Sequence, residues 1–145
     1  MQVHQILKIK GTDGVFTVPP GTKVSEAARI LSEKRIGTVV VSSDGLLPEG
    51  ILSERDIVRE LAATGGACLD ATVETYMTRD PVTCTCSDKA DSLLAQMTEG
   101  RFRHMPVVED GKMVGLVTLG DVVKARLDEL AAENTALESM IANPW

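Results

Sequence analysis

Apolar residues recurring at three- and four-residue spacing mark two amphipathic helices, one carrying Val24, Ala27, Ala28 and Leu31 and the other Ala90, Leu93, Leu94 and Met97. Each stripe must face a core. Each also follows a capping residue type, Thr22 in the first case and Ser87 or Asp88 in the second. Beyond each helix comes a short apolar or β-branched run, Ile36 to Val41 and Met105 to Val108, then an Asp-Gly turn signal at Asp44-Gly45 and at Asp110-Gly111, then a further apolar run. This order predicts two β-hairpins. Ala63 to Thr72 contains Thr64-Gly65-Gly66 and has no clean period, so it reads as the connection between two similar halves.

The similarity is a repeat. At an offset of 66, Thr17 falls on Thr83, Lys23 on Lys89, Glu33 on Glu99, Arg35 on Arg101, Val41 on Val107, Asp44 on Asp110 and Gly45 on Gly111. At an offset of 65, Gly50 meets Gly115, Ser53 faces Thr118, Asp56 meets Asp121 and Val58 meets Val123, so one extra residue sits in the first hairpin. Each half reads as strand, helix, two strands and helix. Val3, Ile6 and Leu7 resemble Val73, Tyr76 and Met77, which suggests a short leading helix before each copy. A chain of 145 residues is too short for two independent cores of ordinary size, so the halves are expected to share one. The expected fold is α/β, a pseudo-two-fold pair of β-α-β-β-α repeats. Residues 1–65 form the first repeat with its lead segment, 66–125 the second, and 126–145 a C-terminal helix.

That last segment has its own pattern. Val123, Leu127, Leu130, Asn134, Leu137 and Ile141 alternate at spacings of four and three, the seam of a coiled coil, with Asn134 where a buried polar residue sets register. Two readings stay open: the helix packs back on its own domain, or it self-associates.

Charge and cysteine content narrow the function. A net charge of −6 and a pI near 4.9 lack the cationic surplus of general nucleic-acid binding, and the aromatics Phe16, Tyr76, Phe102 and Trp145 are too scattered for a base-stacking platform. No apolar run approaches the ~18 residues that span a bilayer, and no signal peptide is evident, so neither a nucleic-acid nor a membrane partner is expected and the location read is cytoplasmic. Three cysteines, with Cys84 and Cys86 too close for a zinc knuckle, read as reduced, buried or half-buried thiols rather than metal ligands.

The candidate chemistry lies at the strand-to-helix junctions. Gly50 to Asp56 and Gly115 to Asp121 each end a strand with Ser or Thr and place an acid three residues on, at Ser53 with Asp56 and Thr118 with Asp121. This spacing matches a capping box, and a carboxylate at that place also suits the two hydroxyls of a ribose. Arg101, Arg103 and His104 precede the strand that begins near Met105-Pro106, and they offer donors to phosphate. Their counterparts in the first half are Arg35, Gly37 and Thr38, followed by Val39. Thr17 and Thr83 sit just before the first helices, where a hydroxyl could reach a ligand, and Val39, Met105 and Pro106 could wall a purine.

The stretches RIGTVVVSSDG…GILSERDIV and MTRDPVTCTCSDKADSLLAQMTEGRFRHMPVVEDGKMVGLVTLGDVV resemble the two copies of a CBS-domain pair, or Bateman module, over about residues 3–125. The resemblance implies a tandem repeat that binds AMP, ADP, ATP, NAD-like or S-adenosyl ligands in the cleft between the copies, with the Ser/Thr-x-x-Asp acid on the ribose. It implicates Ser53, Asp56, Thr118 and Asp121. Because the second copy has Arg103-His104 and Met105-Pro106 where the first has Gly37-Thr38 and Val39-Val40, phosphate contacts should come mainly from the second copy. The two sites should then be unequal.

The expected function is a regulatory module that senses an adenine nucleotide or related adenosyl ligand, needs no cofactor, forms a homodimer and acts on an unidentified protein. The alternative is a structural dimerisation or protein-interaction unit without a ligand. Catalysis by Cys84 or Cys86 with His104 as base is not expected, since the chain has no Gly-rich catalytic loop and only two histidines, His4 and His104.

Overall fold

The computed structural model describes residues 1–11 and 15–142; Trp145 and the end of the C-terminal segment lie outside the described residues. Helix α1 (Val3–Lys10) precedes β1 (Thr17–Val18), α2 (Val24–Lys34), β2 (Thr38–Val41), β3 (Gly50–Ser53) and α3 (Glu54–Thr64). A 3-10 turn over Gly65–Asp70 leads into α4 (Val73–Tyr76), β4 (Thr78–Arg79), α5 (Ala90–Gly100), β5 (His104–Glu109), β6 (Lys112–Thr118) and the 24-residue α6 (Leu119–Ala142). Strands β1 to β4 form one mixed sheet in chain order, with β1 parallel to β2 and the other pairs antiparallel. Strands β5 and β6 form an antiparallel hairpin. Its turn places Asp110 at φ 51° and Gly111 at φ 78°, the left-handed pair that suits a two-residue hairpin.

The buried side chains gather in two clusters, one per half, and the halves share them by exchanging their lead segments. Val3 and Ile6 of α1 pack with Ala90, Leu93, Met97, Met105, Val107, Val117 and Val122 of the second repeat. Val73 of α4 packs with Val24, Ala27, Leu31, Val39, Val41, Leu52 and Ile57 of the first. Core sharing thus comes through crossing segments rather than one continuous cluster.

The same exchange explains how the helices start. Thr22, Ser87 and Asp88 do not cap them: the N-cap positions are Lys23 and Lys89, and neither side chain bonds to its helix. Instead the lead segments supply backbone acceptors. Val24 N–H donates to the Ala71 carbonyl at 2.9 Å, and Ala90 N–H to the Met1 carbonyl at 2.9 Å. In return Val73 N–H donates to the Thr22 carbonyl and Val3 N–H to the Asp88 carbonyl, at 2.7 and 2.8 Å. With orphan helix donors already satisfied in this way, a side-chain cap is unnecessary.

The repeats differ at their first strand. In the first half Val40 N–H donates to the Phe16 carbonyl and β1 forms. The position equivalent to Val40 is Pro106, which has no N–H, so the second half keeps only an isolated parallel bridge between Cys84 and Val107.

Helix α6 does not pack back on the domain along its whole length. Val122 and Ala125 enter the second core, but from Ala131 to Ala142 every residue is exposed.

Candidate functional site

The head of α3 is built by a reciprocal cap. The Ser53 hydroxyl accepts from Asp56 N–H at 3.2 Å, while Asp56 Oδ2 accepts from Ser53 N–H at 2.9 Å and from the Ser53 hydroxyl at 3.0 Å. The cap occupies one carboxylate oxygen. The other, Oδ1, bonds among the described residues only to Arg59, at 3.3 Å, and that guanidinium is itself 68% exposed. One oxygen of a half-buried acid is therefore held loosely at the edge of a cleft.

The cleft is a cavity of about 450 Å³ between the two halves. On one side lie Ser53, Arg55, Asp56 and Arg59 with the side chain of Ile51. Opposite are Arg101, Phe102, Arg103 and His104, and Thr78 to Val82 close one end. Arg101 is left-handed, at φ 55° and ψ 42°, because it ends α5 where glycine is the usual choice. Arg103 is fixed through its backbone, since its carbonyl accepts from Leu119 N–H at 2.8 Å. Arg55, Arg101 and Arg103 take part in no ion pair among the described residues.

Burial holds the His104 imidazole below its usual pKa; the nearby Asp56 carboxylate works against this, and the cations Lys10, Arg103 and Arg55 reinforce it. The ring is therefore neutral near pH 7.

The equivalent acid of the second half is differently placed. Thr118 accepts from Asp121 N–H at 3.2 Å and donates its own N–H back at 2.9 Å, so the cap is repeated. Lys10, at the end of α1, then lies 2.8 Å from Asp121 Oδ2 and donates to the Leu116 carbonyl at 2.9 Å. Burial would raise the Asp121 pKa, but Lys10 and the Thr118 N–H reverse this and hold it below the usual carboxylate range. Beside it is a smaller space of about 280 Å³, lined by Ile6, Ile9 and Lys124 among others. The asymmetry has a local cause. Helix α1 runs eight residues and carries Lys10 to Asp121, whereas α4 stops after four and gives way to β4, so that among the described residues Asp56 pairs only with Arg59 of its own helix.

Of the residues singled out in the sequence, Ser53, Asp56, Arg103 and His104 meet in the central cavity. Thr118 and Asp121 meet at the Lys10 pair. The others are elsewhere. Val39 and Met105 are fully buried in the two cores, and Pro106 is buried in β5 with its carbonyl accepting from Cys84 N–H. Thr38 is buried and donates to the Leu52 carbonyl at 3.1 Å, and the Gly37 carbonyl accepts from Glu54 N–H at 2.9 Å. Thr17 pairs with Val40 in β1, and Thr83 is exposed. The apolar walls come instead from Ile51, Pro81, Val82 and Phe102. Sequence reasoning also passed over Arg55, Arg59, Thr78 and Asp80. Arg55 and Arg59 are four apart beside the capping acid, a spacing that puts them on one helix face and was available as a signal.

The thiols stand apart from this chemistry. Burial, with Asp88 and Cys86 nearby, pushes Cys84 up to about 12, and burial with Glu109 also raises Cys86, so neither is primed as a thiolate nucleophile.

The CBS-domain family pattern matches residues 8–63 and 73–128. A CBS-domain-containing protein of Arabidopsis thaliana, CBSCBSPB3, is 31% identical over 85% of the chain; the match spans 22% of that relative, so the chain corresponds to about a fifth of its length. The crystal structure of a CBS-domain-containing protein from Agrobacterium tumefaciens is 44% identical, with a TM-score of 0.80 over 87% of this chain and 99% of its own. A CBS-domain protein of Pyrobaculum aerophilum complexed with AMP is 26% identical, with a TM-score of 0.76 over 91% of this chain and 99% of its own. The CBS-domain pair of another protein, in complex with 5′-methylthioadenosine and S-adenosyl-L-methionine, is also 26% identical, with a TM-score of 0.75 over 89% of this chain and 98% of its own. The fold, the two matched segments and the repeated capping acids lead to one assignment: the chain belongs to the CBS-domain family, as a tandem pair of repeats.

Proposed function

We propose that this chain is a regulatory module that binds one adenosyl ligand in the cleft between its repeats. The observation that carries the reading is the opposition, across one cavity of about 450 Å³, of a half-committed acid, Asp56, and the donors Arg101, Arg103 and His104. A ribose hydroxyl replaces Arg59 at Asp56 Oδ1, phosphate takes the cationic side, and the purine lies against Ile51, Pro81, Val82 and Phe102. Two structural neighbours hold different ligands with adenosine in common, which supports the adenosyl portion as the recognised part. Binding on both repeats at once favours one arrangement of the halves, and through a homodimer biases a regulated partner protein without catalysis. Among the described residues no helix is long and apolar enough to cross a membrane.

Calorimetry with AMP, ADP, ATP, NAD and S-adenosyl-L-methionine on wild type and Asp56→Ala tests this. Saturable heat from at least one of them, lost in the variant, is the expected result. No saturable heat from any of them overturns the reading.

The capping box at Ser53 and Asp56 favours a second reading, a structural module in which the acid only secures α3. On that reading Asp56→Asn lowers the melting temperature and no adenosyl ligand restores it in wild type or variant.

A further inference from the structure

Helix α6 has two faces. Val122 and Ala125 point into the second core, whereas Val123, Leu127, Leu130, Asn134, Leu137 and Ile141 form a separate stripe centred roughly 130° around the helix from them. The stripe is open: Leu127 is 61% exposed and Ile141 73%. The family pattern ends at residue 128, yet the helix continues to Ala142 with no cover from its own body beyond Leu130. An isolated helical stretch of about twelve residues is marginal in water, so the stripe calls for a partner.

The spacing and the charges select that partner. The intervals four, three, four, three, four read the same in both directions about residue 132. An antiparallel second copy therefore sets Val123 against Ile141 of that copy, Leu127 against Leu137, and Leu130 against Asn134, so every seam position meets a seam position. In this arrangement Lys124 flanks Glu138 of the second copy, twice by symmetry, and the one like-charge meeting is Glu133 with its own counterpart. A parallel pair would instead bring Glu133 against Glu138 on both sides and give Lys124 no acid. Asn134 against Asn134 is all that the parallel arrangement gains.

We infer that α6 from Val123 to Ile141 is a dimerisation surface that pairs antiparallel with α6 of a second copy of this chain. The inference rests on the homodimer part of the proposed function and not on its ligand, so ligand calorimetry and the experiment below fail independently.

The test uses the full chain in a Cys86→Ser background, since Cys68 and Cys84 are buried. Ala131 faces its own counterpart only in the antiparallel pair, and Leu137 faces its own only in the parallel pair. A short bismaleimide should join Ala131→Cys into a covalent dimer and leave Leu137→Cys as single chains. By light scattering, Lys124→Glu and Glu138→Lys should each weaken the dimer several-fold, and the two together should restore it, while Leu130→Glu should leave a monomer that still unfolds cooperatively and loses helical content only in the uncovered turns beyond Leu130. Cross-linking at Leu137→Cys rather than Ala131→Cys overturns the inference. So does a dimer indifferent to Leu130→Glu, or a wild-type chain that is monomeric throughout.

Discussion

The Lys10 ammonium lies 2.8 Å from the Asp121 carboxylate, whereas the equivalent acid, Asp56, has only an exposed guanidinium at 3.3 Å on its open oxygen. A cation of the chain's own lead helix thus holds the second capping acid. A ligand must displace Lys10 to use Asp121 but only Arg59 to use Asp56. Titration with the best adenosyl ligand should give one site per chain, lost in Asp56→Ala and kept in Asp121→Ala.

The Lys10 pair also sets an acid-side signature. Asp121 has a folded pKa below its unfolded value of about 3.9, so its contribution is present above that pH and is lost as pH falls through the folded value. Lys10→Met should cost less than about 1 kcal/mol near neutrality, because both partners are partly exposed. The difference from wild type should shrink below pH ~4, as followed by thermal melts across pH.

His104 is held neutral mainly by burial, so its folded pKa lies below the unfolded value of about 6.5. The sign follows from linkage: the unliganded chain keeps full stability above that pH and loses some as pH falls below it. A bound phosphate favours the imidazolium, so binding should take up a proton, and affinity should rise as pH drops from 7.5 toward 6. Calorimetry in buffers of different ionisation heat reads the uptake, and His104→Asn should abolish it.

Arg35 and Arg101 end equivalent helices in the left-handed region, at φ 54° and 55°. That conformation costs a residue with a Cβ about 1 kcal/mol relative to glycine. Arg35→Gly and Arg101→Gly should therefore both be neutral to slightly stabilising in melts. Only Arg101→Gly should weaken a phosphate-bearing ligand, because only Arg101 lines the cavity.

A Cβ at Gly115 would lie 2.7 Å from Leu7 Cδ2 of the exchanged lead helix, so that branched side chain must shift to admit it. Gly115→Ala should destabilise by about 1–3 kcal/mol, and chemical denaturation measures it. At Gly50 a Cβ would come closer still to its neighbour, Met77 Sδ, yet Gly50→Ala should cost less because the unbranched Met77 side chain can move aside.

Local pattern carried much of this fold into view. The stripes at Val24 to Leu31 and Ala90 to Met97 became α2 and α5, both hairpins formed, and the offset that aligned Asp56 with Asp121 matches their shared capping geometry. What stayed hidden is long-range. Nothing near Val3 in the chain announces that its N–H meets the Asp88 carbonyl, and nothing near Thr22 shows that a lead-segment backbone replaces its cap. The Lys10–Asp121 pair joins residues 111 positions apart. The lining of the candidate cavity was legible where the repeat itself diverged, at Arg103 and His104 against Gly37 and Thr38. It was illegible where a residue's rank depended on burial, as with Val39 and Met105, which serve the cores.

The exchange of lead segments also orders events during synthesis. As the chain emerges from the ribosome, α1 must wait for β6 and the start of α6 before it can seat Val3 and Ile6, so more than a hundred residues separate its appearance from its docking. The first repeat likewise lacks Val73 until the linker has been made. Neither half should persist as a stable nascent intermediate; cutting the chain in the 3-10 turn at Gly65–Asp70 should yield two fragments that fold only when mixed.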